Sequence, residues 1–194
     1  MHKVIGLMSV AVVCMTGIFT GCAQAPEEEL ASAKAAFQAA EEAEAEKYLP
    51  NNYQNVQKAL QAVETEISLQ KKKFFLARSF ARADAMLENV SVLAEDLKNE
   101  APKAKVELKA QVEAGLTSAE GMIKDTRAAV KRAPRSLGRK AVVQMAADVD
   151  TAESAITVGM ASLNGGDILG ARENLAKAQS LLKNVFGQLK PDDE

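Results

Sequence analysis

Few side chains in this 194-residue chain can serve as nucleophile, general base or soft metal ligand. The only histidine is His2, the only cysteines are Cys14 and Cys22, and there is no tryptophan. All three lie in or beside an apolar N-terminal stretch that reads as a removable signal. Cleavage before Cys22 leaves a chain with no histidine and one cysteine, at its start. Histidine base chemistry, thiolate catalysis, Cys/His zinc sites and disulfides are then excluded by inventory, so the expectation is no enzyme and no cofactor. Carboxylates are plentiful but poorly placed for a metal. Asp148 and Asp150 are two apart, hence on different helix faces, and Glu42 and Glu46 form an exposed four-apart pair beside Lys47. Met86, Met122, Met145 and Met160 sit in or beside apolar seams and read as core. Gly165-Gly166-Asp167 could seat a phosphate on backbone amides, but without a preceding strand or a neighbouring lysine it reads as a turn and helix cap.

Met1-His2-Lys3 is a short positive start, Val4 to Phe19 is almost wholly apolar, and Thr20-Gly21 is a small-residue end. The run is shorter than the roughly 20 residues a permanent span needs, and acids rather than bases follow it. Residues 1–21 are therefore read as a signal peptide. Phe19-Thr20-Gly21-Cys22 resembles the lipobox of bacterial lipoproteins, with Phe19 where an aliphatic residue is usual. The resemblance implies that Cys22 is thioether-linked to diacylglycerol and becomes the acylated first residue, making the membrane a partner. Two or three acyl chains on one residue form a stable anchor, because each buried methylene contributes about 0.8 kcal/mol. Ala23 stands where the inner-membrane retention signal would place Asp, so the resemblance favours the periplasmic face of an outer membrane over the inner membrane. Residues 22–29, with Pro26 and three glutamates, read as a lipidated tether.

The elements behind the tether are helices, because apolar residues recur three and four apart and no segment alternates as a half-buried strand does. The seams run through Tyr53, Val56, Leu60, Val63 and Ile67; then Leu76, Phe80, Ala83, Leu87, Val90, Ala94 and Leu97; then Leu108, Val112, Gly115, Ala119 and Met122. Two more run from Val142 to Ile156 and from Ile168 to Leu189. Six helices are expected, near 28–48, 51–71, 74–99, 103–132, 137–163 and 167–189, with candidate caps at Asn51-Asn52, Ser136 and Asp167. Ala101-Pro102 reads either as a turn or as a kink in one long helix, since Leu97, Ala101, Ala104 and Leu108 stay in phase across it. The fold class is all-α, an elongated antiparallel bundle with a first unit at 30–100 and a second at 101–190.

An offset of 93 puts Val56, Ala59, Ala62, Val63 and Ile67 on Val149, Ala152, Ala155, Ile156 and Met160. One inserted residue then puts Phe74, Ala77 and Arg78 on Ile168, Ala171 and Arg172. The hairpin 51–99 reads as duplicated in 142–189, or as two heptad patterns that coincide. Ala45-Glu46-Lys47-Tyr48-Leu49-Pro50 and Gly166-Asp167-Ile168-Leu169-Gly170-Ala171, each opening a helix, are similar to a family of small alanine-rich helical domains found in Gram-negative envelope lipoproteins. That family brings no catalytic residues.

Charge carries the remaining functional signal. Residues 22–100 hold 9 bases and 14 acids, whereas residues 101–194 hold 14 bases and 12 acids, a balance without nucleic-acid bias. Lys131, Arg132, Arg135, Arg139 and Lys140 concentrate five bases in ten residues with no acid among them. Such a turn can hold an anionic envelope component or an acidic protein face, or it can be a solvated turn whose first cations complement a helix C-terminus. The Lys71-Lys72-Lys73 run reads as helix-end charge of that second kind. The expected function is a lipid-anchored, periplasm-facing interaction or structural module of the envelope. The alternative is a carrier of a lipid or other apolar ligand, which needs a roomier interior than seams this rich in alanine provide.

Overall fold

A seam residue every three or four positions forms a helix only if something covers the seam, and α4 covers most of them. The computed structural model describes residues 24–133 and 137–189. They form α1 (Glu27–Glu42), the one-turn α2 (Ala45–Tyr48), α3 (Pro50–Lys72), a 3-10 turn (Phe75–Ala77), α4 (Ala81–Lys131), α5 (Arg139–Asn164) and α6 (Ile168–Leu189). Among the described residues there is no strand, and the chain is an all-α bundle.

Two three-helix bundles stand in series and share α4. In the first, α1 and α3 run antiparallel, with polar pairs stepping down their shared face. Glu27 meets Lys71 at 2.8 Å, Lys34 meets Glu64 at 2.5 Å, and the Tyr53 hydroxyl donates to Glu41 at 2.7 Å. The N-terminal half of α4 closes this bundle over Phe37, Leu60, Val63, Ile67, Leu87 and Val90. In the second, the C-terminal half of α4 packs against the α5–α6 hairpin around Leu116, Ile123, Met145, Ile156 and Leu182. Among the described residues both cores lie between Ala33 and Val185, so that stretch carries the packing of the two bundles.

The seams of the two bundles correspond helix by helix. Ala33, Phe37 and Ala40 of α1 have the spacing of Val112, Leu116 and Ala119 in α4, all buried. Val56 and Val63 match Val149 and Ile156, and Ala83, Leu87, Val90, Ala94 and Leu97 match Ala171, Leu175, Ala178, Leu182 and Val185. The expected match of Phe74 and Ala77 with Ile168 and Ala171 is corrected, because the first pair is exposed and the second buried. The register differs because the first connection runs from 73 to 80 and the second only from 165 to 167. The offset of 93 along α3 and α5 therefore becomes 88 along α4 and α6, five residues less.

Four further expectations are corrected. The helices expected at 74–99 and 103–132 are one helix of 51 residues, α4, passing through Pro102. Pro102 is exposed while Leu97 and Ala101 stay buried, so the ring and the carbonyl it leaves unbonded face water and the seam is kept. That helix starts at Ala81 rather than 74, which leaves Leu76 outside any seam. The helix expected at 28–48 breaks after Glu42, where Glu44 takes a left-handed conformation with φ 61°. Finally, α3 opens on Pro50 after Leu49, so Asn51 and Asn52 lie in its first turn rather than at the cap. Asp167 does cap α6, its Oδ1 accepting the Gly170 N–H at 2.9 Å after Gly166 turns the chain at φ 86°.

Candidate functional site

The basic turn sits at the far end of α4. Val130 is buried as the last seam residue of α4, and Leu137 packs on the second core, so both sides of the turn are pinned. Lys131 and Arg132 end α4, while Arg139 and Lys140 begin α5 after Gly138, which bends the chain at φ 73°. All four side chains are exposed. Arg135 and Ser136 lie outside the described residues.

The placement separates two kinds of charge. Lys131 and Arg132 complement the carbonyl end of α4, so their presence needs no partner. Arg139 and Lys140 stand in the first turn of α5, where the helix dipole disfavours cations, and no acid shares that turn. One turn upstream, Arg127 is already occupied: its Nη2 donates to Asp150 at 2.8 Å and to Glu153 at 2.7 Å. These carboxylates raise the Arg127 guanidinium pKa, and the arginine holds the Glu153 carboxyl below the usual range. The ion pairs among the described residues thus leave the turn's four described bases without an acid.

Between the bundles is a joint. Glu44 accepts from Lys47 at 2.8 Å and from Lys105 of α4, and the two ammonium groups hold its carboxyl down to about 2. Lys105 also lies 5.4 Å from the Tyr48 ring centroid, and Tyr48 packs against the second core. Glu44 makes these contacts from a left-handed conformation, a strained position for a residue with a side chain. Tyr53, donating to Glu41, has its hydroxyl pushed up to about 12.

At the near end, a solvent-open cleft of about 650 Å³ is lined by Glu27, Glu28, Glu29, Asp84 and Glu88 together with Pro26 and Leu87. Cys22 and the signal at 1–21 lie outside the described residues. Among the described residues no three acids, histidines or cysteines gather as a metal site, and no described helix is long and apolar enough to cross a membrane. Of the four seam methionines, Met145 is buried, Met86 and Met160 are half-buried, and Met122 is exposed because Ile123 holds the seam position beside it.

One surface escaped the sequence reading. Phe74, Phe75 and Leu76 project from the connection between α3 and α4 and are 68%, 53% and 78% exposed. The signal that could have found them was their contiguity: three large apolar residues in a row cannot all occupy a seam of three-four spacing. No protein-family model matches the chain, and neither a curated protein nor a solved structure matches it.

Proposed function

We propose that this chain is a bacterial envelope lipoprotein, held through acylated Cys22 on the periplasmic face of the outer membrane, that carries a basic contact surface away from the lipid. The observation that supports it is α4. At 1.5 Å per residue its 51 residues span about 75 Å of contour, and they are backed by partners on both halves. The tether enters at one end of that rod, where Glu27 opens α1 beside Lys71, and the turn from Lys131 to Lys140 lies at the other. A stiff rod with charge at its tip, placed against the helix dipole, suits an interaction module better than a carrier. The buried seams, built largely of alanine and small aliphatic residues, are closely packed and favour the same choice.

The anchor is tested by Cys22→Ser, which should abolish palmitate labelling and leave unprocessed precursor; label that persists ends the lipoprotein reading. The contact surface is tested by replacing Arg132, Arg135 and Arg139 with Glu. Wild-type protein should capture anionic envelope material, with binding that weakens steeply between low and physiological salt. The triple variant should lose that capture while its melt stays nearly unchanged, since Arg132 and Arg139 are exposed and surface substitutions cost within about 0.5 kcal/mol each. Capture of the same material at the same salt midpoint by the variant would reduce the turn to a helix connection.

A further inference from the structure

We propose that the connection from Lys73 to Phe80 is a second, non-covalent membrane contact, seating Phe74, Phe75 and Leu76 at the boundary of headgroups and acyl chains in an anionic bilayer. The first observation is exposure without looseness. Arg78 folds back so that its Nε donates to the Lys73 carbonyl and its Nη2 to the Lys71 carbonyl, both at 2.9 Å. The Ser79 N–H donates to Gln70 Oε1 at 3.3 Å, and Phe80 is buried in the first core. Between these fixed ends a 3-10 turn presents the Phe74 and Phe75 rings, 4.6 Å apart, and Leu76 to solvent. Burying three such side chains elsewhere in the protein would be favourable, so an ordered loop that holds them out needs a partner to cover them.

Second, closing the hairpin does not require this loop. The equivalent turn of the second bundle, Gly165 to Asp167, joins its helices with five fewer residues. Third, bases adjoin the apolar tip in the chain: Lys71, Lys72, Lys73 and Arg78 flank it and Arg82 follows, all exposed, and among the described residues Lys71 is the one paired to an acid, Glu27. Apolar side chains flanked by cations are the composition that binds the interface of an anionic bilayer. Fourth, the loop is where the membrane would be. Lys71 pairs with Glu27 at 2.8 Å, and Glu27 lies five residues after Cys22, a reach of about 17 Å for extended chain. The inference stands on the loop's own chemistry and takes from the anchor reading only this nearness.

The test uses the unacylated chain from residue 23 to 194, which contains both cores, and vesicles of phosphatidylethanolamine with phosphatidylglycerol. The chain has no tryptophan, so Phe75→Trp installs a single reporter. Its emission should shift to the blue on adding vesicles and be quenched by bromine placed on the acyl chains. Val158→Trp, on an exposed position of α5, should do neither. The combined Phe74→Ser, Phe75→Ser and Leu76→Ser variant should keep its melt and lose partitioning on the order of a hundredfold. Each of Lys72→Glu and Lys73→Glu should weaken binding at least about fivefold. Emission from the Phe75→Trp reporter that ignores the vesicles, or a triple variant that still partitions at the wild-type lipid concentration, overturns the proposal and leaves the loop as a docking surface for protein. Loss of palmitate labelling at Cys22 decides the anchor alone, so the two readings fail separately.

Discussion

Leu182→Ala tests whether the shared helix makes the two bundles one cooperative unit. Leu182 is fully buried in the second core, on α6, far from every residue of the first core in the chain. Truncation removes three buried carbons at about 0.8 kcal/mol each and leaves a cavity, so the expected cost is about 3–4 kcal/mol. If α4 and the Glu44–Lys105–Tyr48 joint couple the bundles, the unfolding unit spans both and the midpoint falls by about 10 °C. A second bundle melting alone is half the size and would drop by about 20 °C. The chain supplies its own probe for the difference. Its only tyrosines are Tyr48 and Tyr53, and Tyr53 stacks on Phe37 in the first core with ring centroids 5.0 Å apart. In a Tyr48→Phe background, tyrosine fluorescence reports the first bundle, whereas far-UV circular dichroism reports both. Coupling requires the two midpoints to move down together. A Tyr53 midpoint that stays at its wild-type temperature while the dichroism splits in two would mean that α4 joins the bundles without coupling them.

Three shorter predictions concern other parts of the rod. Pro102→Ala should raise the melting midpoint, by about 1–3 kcal/mol of stability, because an exposed proline inside a helix forfeits a hydrogen bond that alanine restores; a lower midpoint in thermal denaturation would mean that the bundles need the bend. The Glu44 carboxyl, at about 2 against an ordinary 4.5, contributes stability that is complete above pH 4.5 and disappears as pH falls through about 2. Denaturant midpoints across that window should therefore fall less steeply for Glu44→Gln than for wild type, and equal slopes would count against the joint. Gly159 faces Leu116 and Asn174, where an added Cβ would meet Leu116 Cδ2 at 3.0 Å and Asn174 Cβ at 3.3 Å. Gly159→Leu should thus cost at least about 1–3 kcal/mol in a denaturant titration by forcing α5 away from α4 and α6, and an unchanged midpoint would show that the second core is looser than its packing suggests.

Helix content and most seams were legible because burial at three-four spacing is a local signal, written within each helix. What the pattern could not carry was which interruptions end a helix. Pro50 and Gly165-Gly166 do and Pro102 does not, although all four are exposed: Leu49 and Gly166 leave helical backbone angles, whereas the buried stripe of Leu97, Ala101 and Val112 runs on past Pro102. The step of eleven positions from Ala101 to Val112 turns an α-helix by about three whole turns, so the stripe from the first core re-emerges on the same side for the second. In-phase Leu97, Ala101, Ala104 and Leu108 already contained that continuity, and a proline on the wet face has too little cost to break a helix held on its dry one. The loop at 73–80 failed in the opposite direction. Placing Leu76 and Phe80 in one seam was consistent by spacing, but the register of α4 is set by Ala83, Leu87 and Val90 meeting α1 and α3, a tertiary choice that starts the helix at Ala81. The three contiguous apolar residues left over became surface. The basic turn was legible as composition. Its more informative half, Arg139 and Lys140 against the α5 dipole, was already contained in a helix expected from 137; the structure starts α5 at Arg139 and keeps both in its first turn, where cations are disfavoured rather than ordinary helix-end charges.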